Sequence, residues 1–215
     1  MFRGGVLMDV EAWQWMERLG LAGWTGVRGV KGFDVDATER LSRHRLNGRF
    51  AGWSRDCRQS FWKERAWALE AASERAEELS EIYDYGGKRM GTAMTAHENE
   101  LGGRVVVMGY YPWSQVHSLA KSSQMKAVVD WVSRGKMPAM VESYSKIVVW
   151  SRGRGLVLLN ASLDGAEKVT VRWKGAGGRV LLREMGGKEW SLEAKEQRVR
   201  LPRLGAWSVY LLTER

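Results

Sequence analysis

At 215 residues the chain exceeds the usual size of one domain, roughly 100 to 150 residues, so it holds one large domain or two modest ones. Its 44% hydrophobic and 27% charged residues, with only three prolines, exclude a long disordered linker, and the lone Cys57 excludes an internal disulfide and a zinc cluster of paired cysteines. The net charge of +9 lies mostly in residues 139–215, interspersed with acids at alternate strand positions, which reads as a solvated sheet face rather than a nucleic-acid surface.

The apolar run in residues 1–10 is too short for a signal peptide or a bilayer span, so the sequence reads as a soluble chain without membrane contact. Residues 4–9 form a short apolar strand ending on Asp9, which can accept the free amides of a following helix. Ala12, Trp13, Trp15, Met16 and Leu19 recur at spacings of three and four, and Gly20 ends the helix.

Residues 20–60 are rich in Gly, Arg and Asp, with isolated Trp24, Phe33, Phe50 and Trp53, and read as irregular structure with a few short strands. From 61 to 83, composition favours helix, whereas the turn at Tyr85-Gly86-Gly87-Lys88 and the alternation after Met90 favour a hairpin. Arg104 to Gly109 is a β-branched run of the kind buried inside a sheet. A helix follows over 118–134, with Leu119, Met125, Val128, Val129 and Val132 as its stripe and Gly135 as its stop.

Beyond Pro138 helical periodicity ends. Strands are expected at 146–151, 155–163, 167–174, 179–185, 198–201 and 205–212, separated by glycine turns, as in a β-sandwich or open barrel. Val169, Val171 and Trp173 share one face, and Lys168, Thr170, Arg172 and Lys174 the other.

As an ordered set, four segments carry a resemblance: Gly102-Gly-Arg-Val-Val-Val-Met-Gly-Tyr110, the helix with Gln124 and Asp130-Trp131, Met137-Pro138, and Leu156-Val-Leu-Leu-Asn160-Ala-Ser-Leu-Asp164. Together with the tail Arg200-Leu-Pro202-Arg-Leu-Gly-Ala-Trp207, this set resembles the C-terminal part of bacterial β-galactosidase-like glycoside hydrolases of the family-42 kind. The segment Gly4 to Asp9 with its helix resembles, more loosely, the glutamine-amidotransferase-like domain after the catalytic barrel. The resemblance implies α+β or α/β architecture. A partial flavodoxin-like (glutamine-amidotransferase-like) α/β domain at 1–138 would precede a small antiparallel β-sandwich at 139–215. It also implies strands rather than helix over 77–98. A (β/α) barrel needs about 250 residues, so the two catalytic carboxylates have no positions here onto which they can be carried.

Glycoside hydrolysis needs two carboxylates across a sugar, about 5 to 9 Å apart. Glu98 and Glu100, or Glu81 and Asp84, stand close in sequence, but their settings are those of turns. Cys57 with His44, His97 or His117 lacks the strand-to-helix turn of an amidotransferase nucleophile. The three histidines have no i, i+4 pair, so no metal site is expected. Gly175 to Gly178 lies between strands, unlike a phosphate loop. Of the twelve tryptophans, Trp13, Trp131, Trp150, Trp173 and Trp207 fall at core phases. Trp24, Trp53, Trp62, Trp113 and Trp190 fall in or near loops, where a flat ring can stack on a sugar.

The expected function is that of a non-catalytic structural and assembly region of a bacterial, cytoplasmic glycoside-hydrolase-like protein of carbohydrate metabolism. Its partners would be a glycosidase catalytic barrel or other subunits of the same protein, including further copies of itself, and no cofactor is implied. The alternative is a carbohydrate-binding module using Trp113 and Trp190.

Overall fold

The computed structural model describes residues 3–33, 37–56, 66–110 and 118–215, which form two compact units, Met1–Gly135 and Lys136–Arg215. Cys57, Trp62, Trp113 and His117 lie outside the described residues. Among the described residues no helix is long and apolar enough to cross a membrane.

The first unit opens with strand β1 (Gly5–Asp9) and helix α1 (Val10–Arg18). As the sequence predicts, Asp9 caps the helix, its Oδ1 accepting from Ala12 N at 2.9 Å, and Gly20 follows the last turn in the left-handed region. The strands β2 (Val27–Phe33), β3 (Ala37–Leu41), β4 (Ser54–Asp56), β5 (Ala66–Ala71), β6 (Ala76–Asp84), β7 (Arg89–Glu98) and β8 (Arg104–Met108) precede helix α2 (Leu119–Val132). They form one curled sheet in the order β1-β8-β7-β6-β3-β4, with β2 and β5 as a branch on β7.

This architecture overturns the flavodoxin-like expectation. A flavodoxin-like sheet is parallel and needs a crossover helix between neighbours. Here β1 with β8 is the parallel pair; the other pairings among described strands of this unit are antiparallel. The cause is local. The turn Tyr85 to Lys88, closed by Lys88 N on Asp84 Oδ1 at 2.8 Å, and the turn Asn99 to Gly103 are too short for a helix, so β6, β7 and β8 fold back on one another. Strands therefore replace helix over 76–98, on the side that the resemblance and the glycine turn favoured.

β8 is buried on both faces, as its β-branched run predicts. Val105 and Val107 pack with Trp13 of α1, while Val106 and Met108 pack with Val128 of α2. The buried stripe of α2 differs from the expected one: it holds Ala120, Lys121, Gln124 and Val128, while Leu119 is exposed.

The second unit contains β9 (Ala139–Val141), β10 (Ile147–Arg152), β11 (Gly155–Asn160), β12 (Thr170–Trp173), β13 (Arg179–Glu184), β14 (Glu189–Lys195), β15 (Arg198–Arg200) and β16 (Val209–Glu214). The expected two-layer sandwich is instead one continuous antiparallel sheet, ordered β10-β11-β16-β13-β14-β15-β12-β9. β14 turns the corner, pairing β13 through Glu189 to Glu193 and β15 through Ala194 and Lys195. The strands at the two ends of the order, β9 and β10, are adjacent in the chain, so the sheet curls almost into a barrel. Leu156, Leu158, Val171, Trp173, Val180, Leu182, Tyr210 and Leu212 fill its interior.

Candidate functional site

Glu98, Glu81 and Asp84, singled out as possible acids, are engaged elsewhere, while Glu100 lines a cavity in the first unit. Glu98 lies 2.8 Å from Arg104 Nε and 3.2 Å from Arg134 Nη2, and the hydrogen bond from Arg104 leads the effects that hold its carboxyl below the ordinary range. Partial burial pushes Glu81 up, but the bonds from Arg89, at 2.6 Å, and Tyr83 pull it below its ordinary value. Asp84 closes a turn. A glycosidase acid needs the opposite displacement, upward toward neutrality. His44 is occupied as well: its Nδ1 accepts from Leu46 N at 3.2 Å and its Nε2 meets Glu77. Among the described residues no group of three or more His, Cys, Asp or Glu could hold a metal ion.

A buried polar cluster escaped the sequence reading. Glu39 on β3 and Lys121 on α2 are both 0% exposed, with Lys121 Nζ 2.7 Å from Glu39 Oε1. Arg55 on β4 approaches the other carboxylate oxygen at 2.7 Å, Ser80 of β6 donates to Oε1 at 2.6 Å, and Tyr110 donates to it too while accepting from Lys121. Burial alone would raise the Glu39 pKa; the charges of Lys121 and Arg55, with these hydrogen bonds, outweigh it and hold Glu39 at about 2. Burial first, then the Glu39 charge, lifts the Tyr110 phenol well above its usual value. Beside this cluster, Gln124 Nε2 donates to Asn47 Oδ1 at 2.6 Å, and Asn47 Nδ2 donates to the carbonyls of Ser42 and Leu79 at 2.8 Å. These contacts pin α2 to the sheet, with Glu39 and Lys121 wholly buried.

A cavity of about 650 Å³ opens in the first unit where the turn before β2, the turn between β5 and β6, and the end of β7 converge; Trp24, Glu74, Arg75, His97, Asn99 and Glu100 line it. Its frame is hydrogen-bonded throughout. Thr25 Oγ1 accepts from the buried Trp13 indole at 3.0 Å and donates to Ala22 O at 2.6 Å, which sets the 3-10 turn Ala22–Thr25 that carries Trp24. Ala72 N donates to Gly26 O at 2.8 Å. Asn99 Oδ1 accepts from Leu101 N at 3.1 Å and Gly103 N at 2.8 Å, holding the β7–β8 turn. Gly26 stands at φ +75°, and a Cβ there would come 2.5 Å from His97 Cγ, so the missing side chain lets the backbone lie on the imidazole. His97 Nδ1 and Asn99 Nδ2 are buried without a hydrogen-bond partner among the described residues, each at a cost of about 1 to 3 kcal/mol.

The tryptophans divide differently from the expectation. Trp13 and Trp173 are core and Trp131 packs partly against it, but Trp150 and Trp207 are 50% and 63% exposed. Trp150 stands on the outer face of β10, where alternation permits either side; Trp207 stands in the turn before β16, at φ +47°. Trp190 belongs to β14 rather than a loop, half-buried on the core with its ring centroid 6.2 Å from that of Tyr210. Trp53 is exposed, edge-on to Phe50.

The outer face of the second sheet is unusually apolar. Strand register places Trp150 opposite Val157, Val157 opposite Leu211, and Leu211 opposite Arg183. In the next row Val148 faces Leu159 and Leu159 faces Val209, with Met185 bonded through its amide to Val209 O at 3.0 Å. Met185 is 78% exposed, and Val148, Trp150 and Leu211 are exposed too.

No family model matches the sequence, and no curated protein matches it. Among solved structures, the chain is similar in fold to part of the cold-adapted β-galactosidase from Rahnella sp. R3, with a TM-score of 0.52 and 11% identity over 90% of this chain and 24% of that one. A β-galactosidase from Bacillus circulans sp. alkalophilus aligns with a TM-score of 0.48 and 14% identity over 88% of this chain and 24% of that one. Gan42B, a GH42 β-galactosidase from G. stearothermophilus, aligns with a TM-score of 0.48 and 12% identity over 89% and 24%. The chain thus spans about a quarter of the length of these proteins.

Proposed function

We propose that the chain is a non-catalytic structural and assembly region of a glycoside-hydrolase-like protein of the β-galactosidase kind, corresponding to its C-terminal part, and that it packs against a glycosidase catalytic barrel. The observation that carries this reading is the apolar outer face of the second sheet. Residues 147–150, 156–159 and 209–212 are continuous apolar runs, the pattern of strands covered on both sides, yet only the inner face is covered by described residues. Patches of this kind mark protein contacts. The fold shared with a quarter of the Rahnella enzyme supports the reading, as do the downward displacements at Glu39, Glu81 and Glu98, which suit ion pairs and not general acids.

The test is hydrolysis of a chromogenic β-galactoside and a panel of other aryl glycosides by the purified chain. No turnover is expected. Turnover abolished by Glu98→Gln or Glu100→Gln would overturn the proposal.

A further inference from the structure

We infer that the cavity beneath Trp24 is a binding site for a neutral saccharide. This stands on the cavity alone and is independent of the docking role of the second unit. Its volume of about 650 Å³ falls within the range of small-molecule sites, roughly 300 to 1,000 Å³.

The lining selects the ligand. The half-buried indole of Trp24 offers a flat apolar surface suited to the C–H face of a pyranose. Around it stand groups that bond hydroxyls in both directions: the carboxylates of Glu74 and Glu100 accept, the Arg75 guanidinium donates, and the His97 imidazole and Asn99 amide complete the wall. Two carboxylates against one guanidinium disfavour an anion, and the guanidinium opposes a simple cation, whereas a polyhydroxylated neutral molecule meets all of these groups.

A second, independent observation points the same way. His97 and Asn99 are more than nine-tenths buried, and each keeps one nitrogen, Nδ1 and Nδ2, unbonded among the described residues. Buried polar atoms are ordinarily satisfied, and exceptions concentrate where a ligand or ordered water completes them. Asn99 already spends its oxygen on two backbone amides, and its amide nitrogen, like His97 Nδ1, lies buried just behind the cavity wall, where a side-chain rotation would present it to a ligand. Because the turns are fixed by their own hydrogen bonds, the backbone frame of the site is preorganised and only side chains need to move when it is occupied.

The experiment titrates the full chain with galactose, glucose, lactose and cellobiose, followed by calorimetry and by the indole N–H signals in a nitrogen–proton spectrum; choline and inorganic sulfate serve as cationic and anionic probes. At least one sugar is expected to bind with a dissociation constant on the order of 1 mM and to shift the Trp24 signal. Trp24→Ala should weaken that binding by about tenfold or more. Glu74→Gln, at an exposed position that the fold does not need, should weaken it several-fold while the melting temperature stays unchanged. No sugar response up to about 50 mM, sugar binding indifferent to both variants, or a response to choline or sulfate in place of the sugars would overturn the inference.

Discussion

At the scale of single residues, the strongest constraint is the Glu39–Lys121 pair. Removing one partner of a buried ion pair costs about 3 to 5 kcal/mol because the other charge stays buried. Glu39→Gln should be the more damaging change, since it removes the buried anion that both Lys121 and Arg55 approach, whereas after Lys121→Met the carboxylate still has Arg55 at 2.7 Å; chemical denaturation of the two variants gives the order. The acid limb of stability follows from the same site. With the folded pKa at about 2 against an ordinary 4.5, Glu39 contributes about 3 kcal/mol that is fully present above pH 4.5. That stability is lost as the pH falls from about 4.5 toward about 2, and the decline should flatten in Glu39→Gln. None of this was legible in the sequence, where Glu39 and Lys121 lie 82 positions apart and each sits among ordinary surface residues. Lys121 shares the helical phase of Met125, Val128 and Val132, but a lysine in that stripe does not by itself name the buried partner that holds it there. Trp24, by contrast, was legible as an aromatic in a glycine-rich loop; its companions His97 and Asn99 were not, because only the β7–β8 turn brings them beneath it.

At the scale of elements, signals confined to a few residues read correctly and signals that depend on the far side of a strand did not. The Asp9 cap, the Gly86-Gly87 turn and the β8 run each specify local geometry, and each stands where the sequence places it. The flavodoxin-like reading extended one strand–helix unit to a whole domain, although the hairpins at Tyr85 and Asn99 force antiparallel pairing. β14 escaped notice although Trp190, Leu192 and Ala194 alternate inward, because the glycine turn before it drew attention to a loop. Trp150 and Trp173 show why alternation alone cannot assign a core: both sit in apolar strands, yet one faces out and the other is 4% exposed. Accordingly Trp173→Ala should cost about 3 to 5 kcal/mol in unfolding free energy, while Trp150→Asp should leave the melting temperature nearly unchanged. The basic face of β12 behaves as expected of a solvated sheet. Arg172 and Arg198 flank Glu142, and Arg203 lies near Glu167.

At the scale of the whole molecule, a fold shared with a quarter of a β-galactosidase and an exposed apolar sheet face are the observations on which the proposed docking role rests. The ordered set of motifs at Gly102, Asp130-Trp131, Met137-Pro138 and Asn160 pointed to the same kind of protein that the fold resembles; Gly102 stands in the β7–β8 turn, Asp130-Trp131 in the last turns of α2 and Asn160 at the end of β11. What covers the outer face was not legible, because a continuous apolar run looks the same whether the second covering layer is inside the chain or beyond it. The most direct test is sedimentation velocity of the purified chain and its Trp150→Asp variant over a range of concentrations. The wild-type chain, with its apolar sheet face exposed, is expected to associate increasingly with concentration, and Trp150→Asp to abolish the association without loss of folded structure. A wild-type chain that stays monomeric throughout, or one whose association ignores Trp150→Asp, would contradict the proposed docking role.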